Sequence, residues 1–85
     1  MKYEYPAIIS KIDDGDFKYD VYFVDFYTHT NGVDFDDAMY MASDCLKALV
    51  NMYSEINQSL PTPTNPTEVI AETPDAKVYV ISAEA

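Results

Sequence analysis

The hydrophobic period of this chain changes at Asp34, and that change constrains the fold more than any other feature. Before it, apolar and polar residues alternate; after it, apolar residues recur at steps of three and four. Alternation buries one face of a strand, whereas a period near 3.6 buries one stripe of a helix. The residues at the junction have local reasons to make the switch. Asn31-Gly32 reads as a turn dipeptide tolerant of positive φ, and Asp34 as an N-cap whose carboxylate can accept the Asp37 N–H. Asp36 and Asp37 fall in the first helical turn, where negative charge meets the positive end of the helix dipole.

Upstream, Tyr3 to Ile12 reads as a strand with Tyr3, Tyr5, Ala7 and Ile9 on one face and Lys2, Glu4, Ile8 and Ser10 on the other. Pro6 has no N–H, so the strand there is expected to be unpaired on one side or bulged. Asp13-Asp14-Gly15-Asp16 forms a turn, and Phe17, Tyr19, Val21 and Phe23 make the apolar face of a second strand against Lys18, Asp20, Tyr22 and Val24. Two such runs make an antiparallel hairpin, to which Tyr27 to Gly32 adds a short third strand.

Downstream, Phe35, Ala38, Ala42, Cys45, Leu49, Met52 and Ile56, flanked by Met39, Leu46 and Tyr53, form a broad helical stripe. Asp36, Asp37, Tyr40, Ser43, Asp44, Lys47, Asn51 and Glu55 lie opposite. The seam covers only about three heptads, and its width suits a sheet better than a coiled coil. Gln58 to Pro66 holds three prolines and ends the helix in an extended loop. Asn65-Pro66-Thr67-Glu68 offers an N-cap, a first-position proline and an acidic third residue, enough for a helical turn through Ala71. Val78-Tyr79-Val80-Ile81 is apolar on both sides, the pattern of a strand inside a sheet or paired across a subunit interface. The expectation is one α+β domain over residues 1–85, β-β-β-α-β, with a small, mostly antiparallel sheet and one long amphipathic helix on one face.

Charge then narrows the function. Fifteen acidic residues face five lysines and no arginine, a net charge of −10, which repels phosphate backbones and favours a basic protein partner. Direct nucleic-acid binding is not expected. A chain of 85 residues has a marginal core, so a second subunit would help to cover its apolar surface and a homo-oligomer is expected. Cys45 is alone, Glu4 and Pro6 interrupt any signal-peptide pattern, and no apolar run reaches membrane-spanning length. A cytoplasmic protein that meets no membrane is the expectation.

Candidate chemistry is sparse. His29, between Asp25 and Asp34, could be a general base oriented by a carboxylate, but no serine nucleophile or glycine-rich turn stands beside it, and an ordinary loop histidine is the stronger reading. Cys45 lies on the apolar helix face and reads as core. Asp13, Asp14 and Asp16 lack the glutamate of a calcium loop. Asp34, Asp36 and Asp37 scatter around the helix start without a histidine or cysteine to complete a metal site. No catalytic residue, metal or cofactor is assigned. Five carboxylates from Asp25 to Asp44 instead make an acidic surface suited to lysines and arginines. Eight tyrosines exceed what one small core can satisfy, so Tyr22 and Tyr40, on polar faces, join Asp20, Asp25, Asp34, Asp36 and Asp37 as candidate partner contacts.

Several segments also carry a family likeness. Lys2-Tyr3-Glu4-Tyr5-Pro6-Ala7-Ile8, Phe23-x-Asp25, Thr30-x-Gly32 followed by Asp34-Phe35-Asp36-Asp37-Ala38, and Leu60-Pro61-x-Pro63 resemble, in order and rough spacing, the HicB family of antitoxins. The resemblance implies a domain resembling part of the ribonuclease H fold, a cytoplasmic setting, and neutralisation of a small basic HicA-type mRNA interferase whose active site the antitoxin covers. Val24 stands where the family has proline, and Tyr27-Thr28 where it has Pro-Gly. The C-terminal DNA-binding segment of many relatives has no counterpart within residues 1–85, so operator binding is not expected of them. The inward face of the first strand offers no acid, unlike a two-metal nuclease site. Two further readings are an orphan self-associating module without a toxin and, more remotely, a metal-dependent nuclease.

Overall fold

The alternating half of the chain folds into paired strands and the 3.6-periodic half into a helix. The computed structural model describes all 85 residues, as β1 (Lys2–Asp14), β2 (Phe17–Phe23), β3 (Thr28–Gly32), α1 (Phe35–Glu55), a 3-10 turn (Pro66–Glu68) and β4 (Lys77–Glu84). The strands form one antiparallel sheet in the order β3-β2-β1-β4. No helix is long and apolar enough to cross a membrane.

β1 and β2 make the expected hairpin, closed at Asp14↔Phe17 around Gly15, whose φ of +63° costs a glycine little. A bulge between Lys11 and Asp14 puts one extra residue into β1. The β1–β2 ladder starts at Ala7↔Phe23, so Pro6 pairs only with Val80 of β4, as its missing N–H requires.

The next turn is not where the sequence placed it. Val24 to Tyr27 reverse the chain between Phe23 and Thr28, with Tyr27 at φ +53°, and Asn31-Gly32 continues β3 in ordinary backbone. Gly32 is needed for a different reason. A Cβ there would lie 2.4 Å from Ala38 N and 2.5 Å from Ala38 Cα, so only glycine lets the first turn of α1 sit on the end of β3.

Tyr5, Ala7 and Ile9 of β1, Val21 and Phe23 of β2, and Ile81 and Ala83 of β4 point toward α1 and are buried. The helix answers with Ala38, Ala42, Leu46 and Val50, a ridge of four-residue steps. That ridge is rotated from the expected stripe: Leu46 is central rather than flanking, Val50 replaces Met52, and Met52 and Ile56 face solvent. Steps of four advance slowly around the helix, and the sheet follows that oblique row. Ser43 Oγ donates to Ser82 O at 2.7 Å, tying the helix to β4.

β4 lies at an edge and pairs only with β1, not inside the sheet. Its apolar character on both sides has two causes: Ile81 enters the core, and Val78 and Val80 lie on the sheet face away from the helix. The helical turn after Asn65 is shorter than expected and stops at Glu68. Beyond it, Ile70, Glu72, Thr73 and Ala76 share a groove with Ile8, Ser10, Tyr22 and Val24 on the helix-free face.

Candidate protein-binding site

The sequence-derived candidates fall in three places. Asp20 and Tyr22, two apart on β2, point away from the helix into the groove of about 450 Å³ between the sheet and the Ile70–Ala76 segment. Tyr22 stands opposite His29 in the β2–β3 ladder, and their rings stack at 4.5 Å between centroids, tilted by 31°. His29 Nδ1 lies 3.0 Å from Asp20 Oδ2 and 3.2 Å from Oδ1. An ionised carboxylate only accepts hydrogen bonds, so Nδ1 carries the proton and Nε2 is the acceptor of the neutral ring. Ser10 is opposite Asp20 on β1, one strand further from the imidazole, and no hydrogen bond joins the two. Ile8, Val24 and Ile70 supply apolar wall, and Glu72 adds a second carboxylate.

Asp34, Asp36, Asp37 and Tyr40 form a separate group at the start of α1. Asp34 Oδ1 accepts the Asp37 N–H at 2.7 Å, as expected, and Asp37 Oδ2 accepts the Val33 N–H at 3.0 Å. Each acid thus satisfies a backbone donor near the helix N-terminus. Asp36 is exposed without such a bond, and Tyr40 is 68% exposed one turn on.

Asp25 belongs to neither group. Its carboxylate accepts the Thr64 N–H at 3.1 Å and the Thr64 hydroxyl at 2.6 Å, fastening the proline-rich loop to the turn after β2. The same loop is held by Tyr5, whose hydroxyl donates to Pro61 O at 2.6 Å. Burial first, and the neighbouring Asp25 charge second, push the Tyr5 phenol pKa up. Cys45 packs against the core, and burial followed by Asp44 raises its thiol pKa, as expected of a structural cysteine. No group of three or more histidine, cysteine, aspartate or glutamate residues is placed to hold a metal ion.

Two residues stand differently from their sequence reading. His29 lies in β3, not in a loop, and its partner is Asp20 rather than Asp25 or Asp34. With the turn drawn at Val24–Tyr27, cross-strand register would have placed His29 beside Tyr22 and diagonal to Asp20. Tyr27, expected to open the third strand, instead ends the turn before it and is the most exposed aromatic, at 83%. Its left-handed φ falls where the resemblance expected Pro-Gly.

No protein-family profile matches the chain, and no curated protein matches it. Among solved structures it is similar to a chain of a toxin–antitoxin complex from Streptococcus pneumoniae, with a TM-score of 0.88 and 23% identity, over 99% of this chain and 70% of that one. The likeness is one of fold.

Proposed function

We propose that this chain is a non-catalytic antitoxin that neutralises a small basic mRNA interferase of the HicA type by covering its active site. The observation that carries the reading is the fold, shared over nearly the whole chain with a component of a toxin–antitoxin complex. The order of HicB-like segments along the sequence supports it independently of the structural likeness.

Electrostatics supports the choice of a basic partner. Of the fifteen acids, only Asp13 and Glu84 have an ammonium group within ion-pair distance, and Asp20 lies beside the His29 imidazole, so the carboxylates around the helix start project an unneutralised field. Such a field accelerates encounter with an oppositely charged protein, while desolvated aromatic contacts set the lifetime of the complex. Asp20 and Tyr22 on one side, and Asp34, Asp36, Asp37 and Tyr40 on the other, are the proposed contact groups.

Co-expression with a small basic ribonuclease found encoded beside this gene should relieve growth arrest and yield a copurifying complex; arrest that persists without a complex would sink the proposal. The purified chain should leave RNA intact with magnesium or manganese. A second reading, a self-associating module without a toxin, draws on the unpaired edge of β4, where Val80 is 46% exposed. Absence of any toxin gene beside this one, together with a stable dimer, would favour it.

A further inference from the structure

The groove on the helix-free face combines apolar walls, an aromatic surface and carboxylates within one concavity. Ile8, Val24 and Ile70 supply the walls, the stacked Tyr22 and His29 the aromatic surface, and Asp20 and Glu72 the charge. None of the five lysines lines it. Its volume of about 450 Å³ suits a long side chain and part of the backbone that carries it better than a lone ion. Asp20 is partly enclosed, with its side chain 27% exposed, and its hydrogen-bonding partner is the His29 imidazole. A carboxylate has about four acceptor positions, so one N–H leaves room for further donors.

These surroundings match one side chain in particular. A guanidinium offers a planar fork of donors to a carboxylate, lies against aromatic rings, and is weakly hydrated enough to leave water. Its aliphatic stem covers apolar wall in the process. A lysine ammonium is a compact and strongly hydrated point charge that gains less from the ring and walls. The helix start offers no such enclosure, and two of its three acids already hold backbone N–H groups.

We infer that this groove receives an arginine side chain of the ribonuclease, with Asp20 and Glu72 holding the guanidinium and Ile8, Tyr22 and Ile70 lining its stem. The inference rests on the toxin-binding reading and goes further by choosing the sheet face over the helix start as the anchoring surface.

The test compares a groove variant, Asp20→Asn with Glu72→Gln, against a charge-matched variant of the solvated hairpin turn, Asp14→Asn with Asp16→Asn. Both are checked for folding by circular dichroism. Calorimetry against the adjacently encoded ribonuclease should show the groove variant weakened at least ~10-fold and the turn variant by no more than ~2-fold, because contact charges outweigh distant ones. Equal weakening in the two variants, or none in the groove variant, overturns the inference. Should the wild-type chain not bind that ribonuclease at all, the functional reading fails by itself, and the groove is judged by titrating isotope-labelled protein with the peptide acetyl-Gly-Arg-Gly-amide. Amide shifts confined to Ile8, Tyr22, Ile70 and their neighbours, and absent with the citrulline peptide, support the arginine receptor. No shift up to about 20 mM, the weak end of specific binding, overturns it.

Discussion

Gly32 lies directly against the first turn of α1, and substituting it with alanine sets two opposing effects against each other. Its backbone is not in the left-handed region, so alanine is conformationally acceptable there and would restrict the unfolded chain, a gain of about 0.4–1 kcal/mol. Against this, the new methyl would meet Ala38 N at 2.4 Å, Ala38 Cα at 2.5 Å and Ala38 Cβ at 2.9 Å. Carbon contacts are comfortable near about 3.5–4.0 Å, so the first turn of α1 must retreat by roughly 1 Å. The two closest atoms are backbone, and no rotamer change can relieve them. Overpacking of this kind costs about 1–3 kcal/mol, so the steric effect wins and Gly32→Ala should lose about 1–2 kcal/mol net. In a domain this small that lowers the melting temperature by roughly 5–15 °C. Urea and thermal unfolding followed by circular dichroism measure it. Ala38→Gly in the same chain should not rescue it, because it removes only the most distant of the three contacts. A Gly32→Ala protein as stable as the wild type, or more so, would refute the seating of α1 on β3.

Tyr27→Gly should have the opposite sign: the side chain is 83% exposed and packs little, and a left-handed φ costs a non-glycine residue about 1–2 kcal/mol, so urea unfolding should show equal or higher stability despite the added freedom of the unfolded chain. Asp25→Ala should cost about 2 kcal/mol by removing the carboxylate that accepts the Thr64 N–H and hydroxyl, and should speed proteolysis within Leu60–Pro66; unchanged cleavage would mean that the loop is held elsewhere. Tyr5 and Cys45 keep their protons in the folded state above the pH at which the unfolded chain releases them, from ordinary values of 10.0 and 9.0. The folded state therefore binds more protons in that range, and the urea midpoint should hold steady near neutrality and fall as pH rises above about 9. Tyr5→Phe should flatten the upper part of that decline.

The inward residues of β1 and β2, the Gly15 turn and the Asp34 cap were legible in the sequence because each depends on neighbours a few residues away. The features misread depend on distant partners. Gly32 carries a turn signature, but its requirement comes from Ala38 across the β3–α1 junction. Val50 enters the core because the sheet selects an oblique row of the helix, which periodicity alone does not distinguish from its neighbours. Val78 and Val80 look like a central strand because the second face of the sheet is itself partly apolar. The candidate residues were legible as chemistry and not as geometry. Asp20 and Tyr22 gain a partly enclosed setting only when His29 and the Ile70–Ala76 segment reach the same face, while Asp25 is drawn into holding a loop.

The central claim, that this chain disarms a basic ribonuclease by covering it, is tested most directly by identifying a small basic ribonuclease encoded beside its gene and adding the purified chain to it in increasing amounts while following RNA cleavage. The account predicts that cleavage falls in proportion to the chain added and stops near stoichiometric equivalence, with the two proteins eluting together on gel filtration. Undiminished cleavage at excess chain, with the two proteins eluting apart, would contradict it.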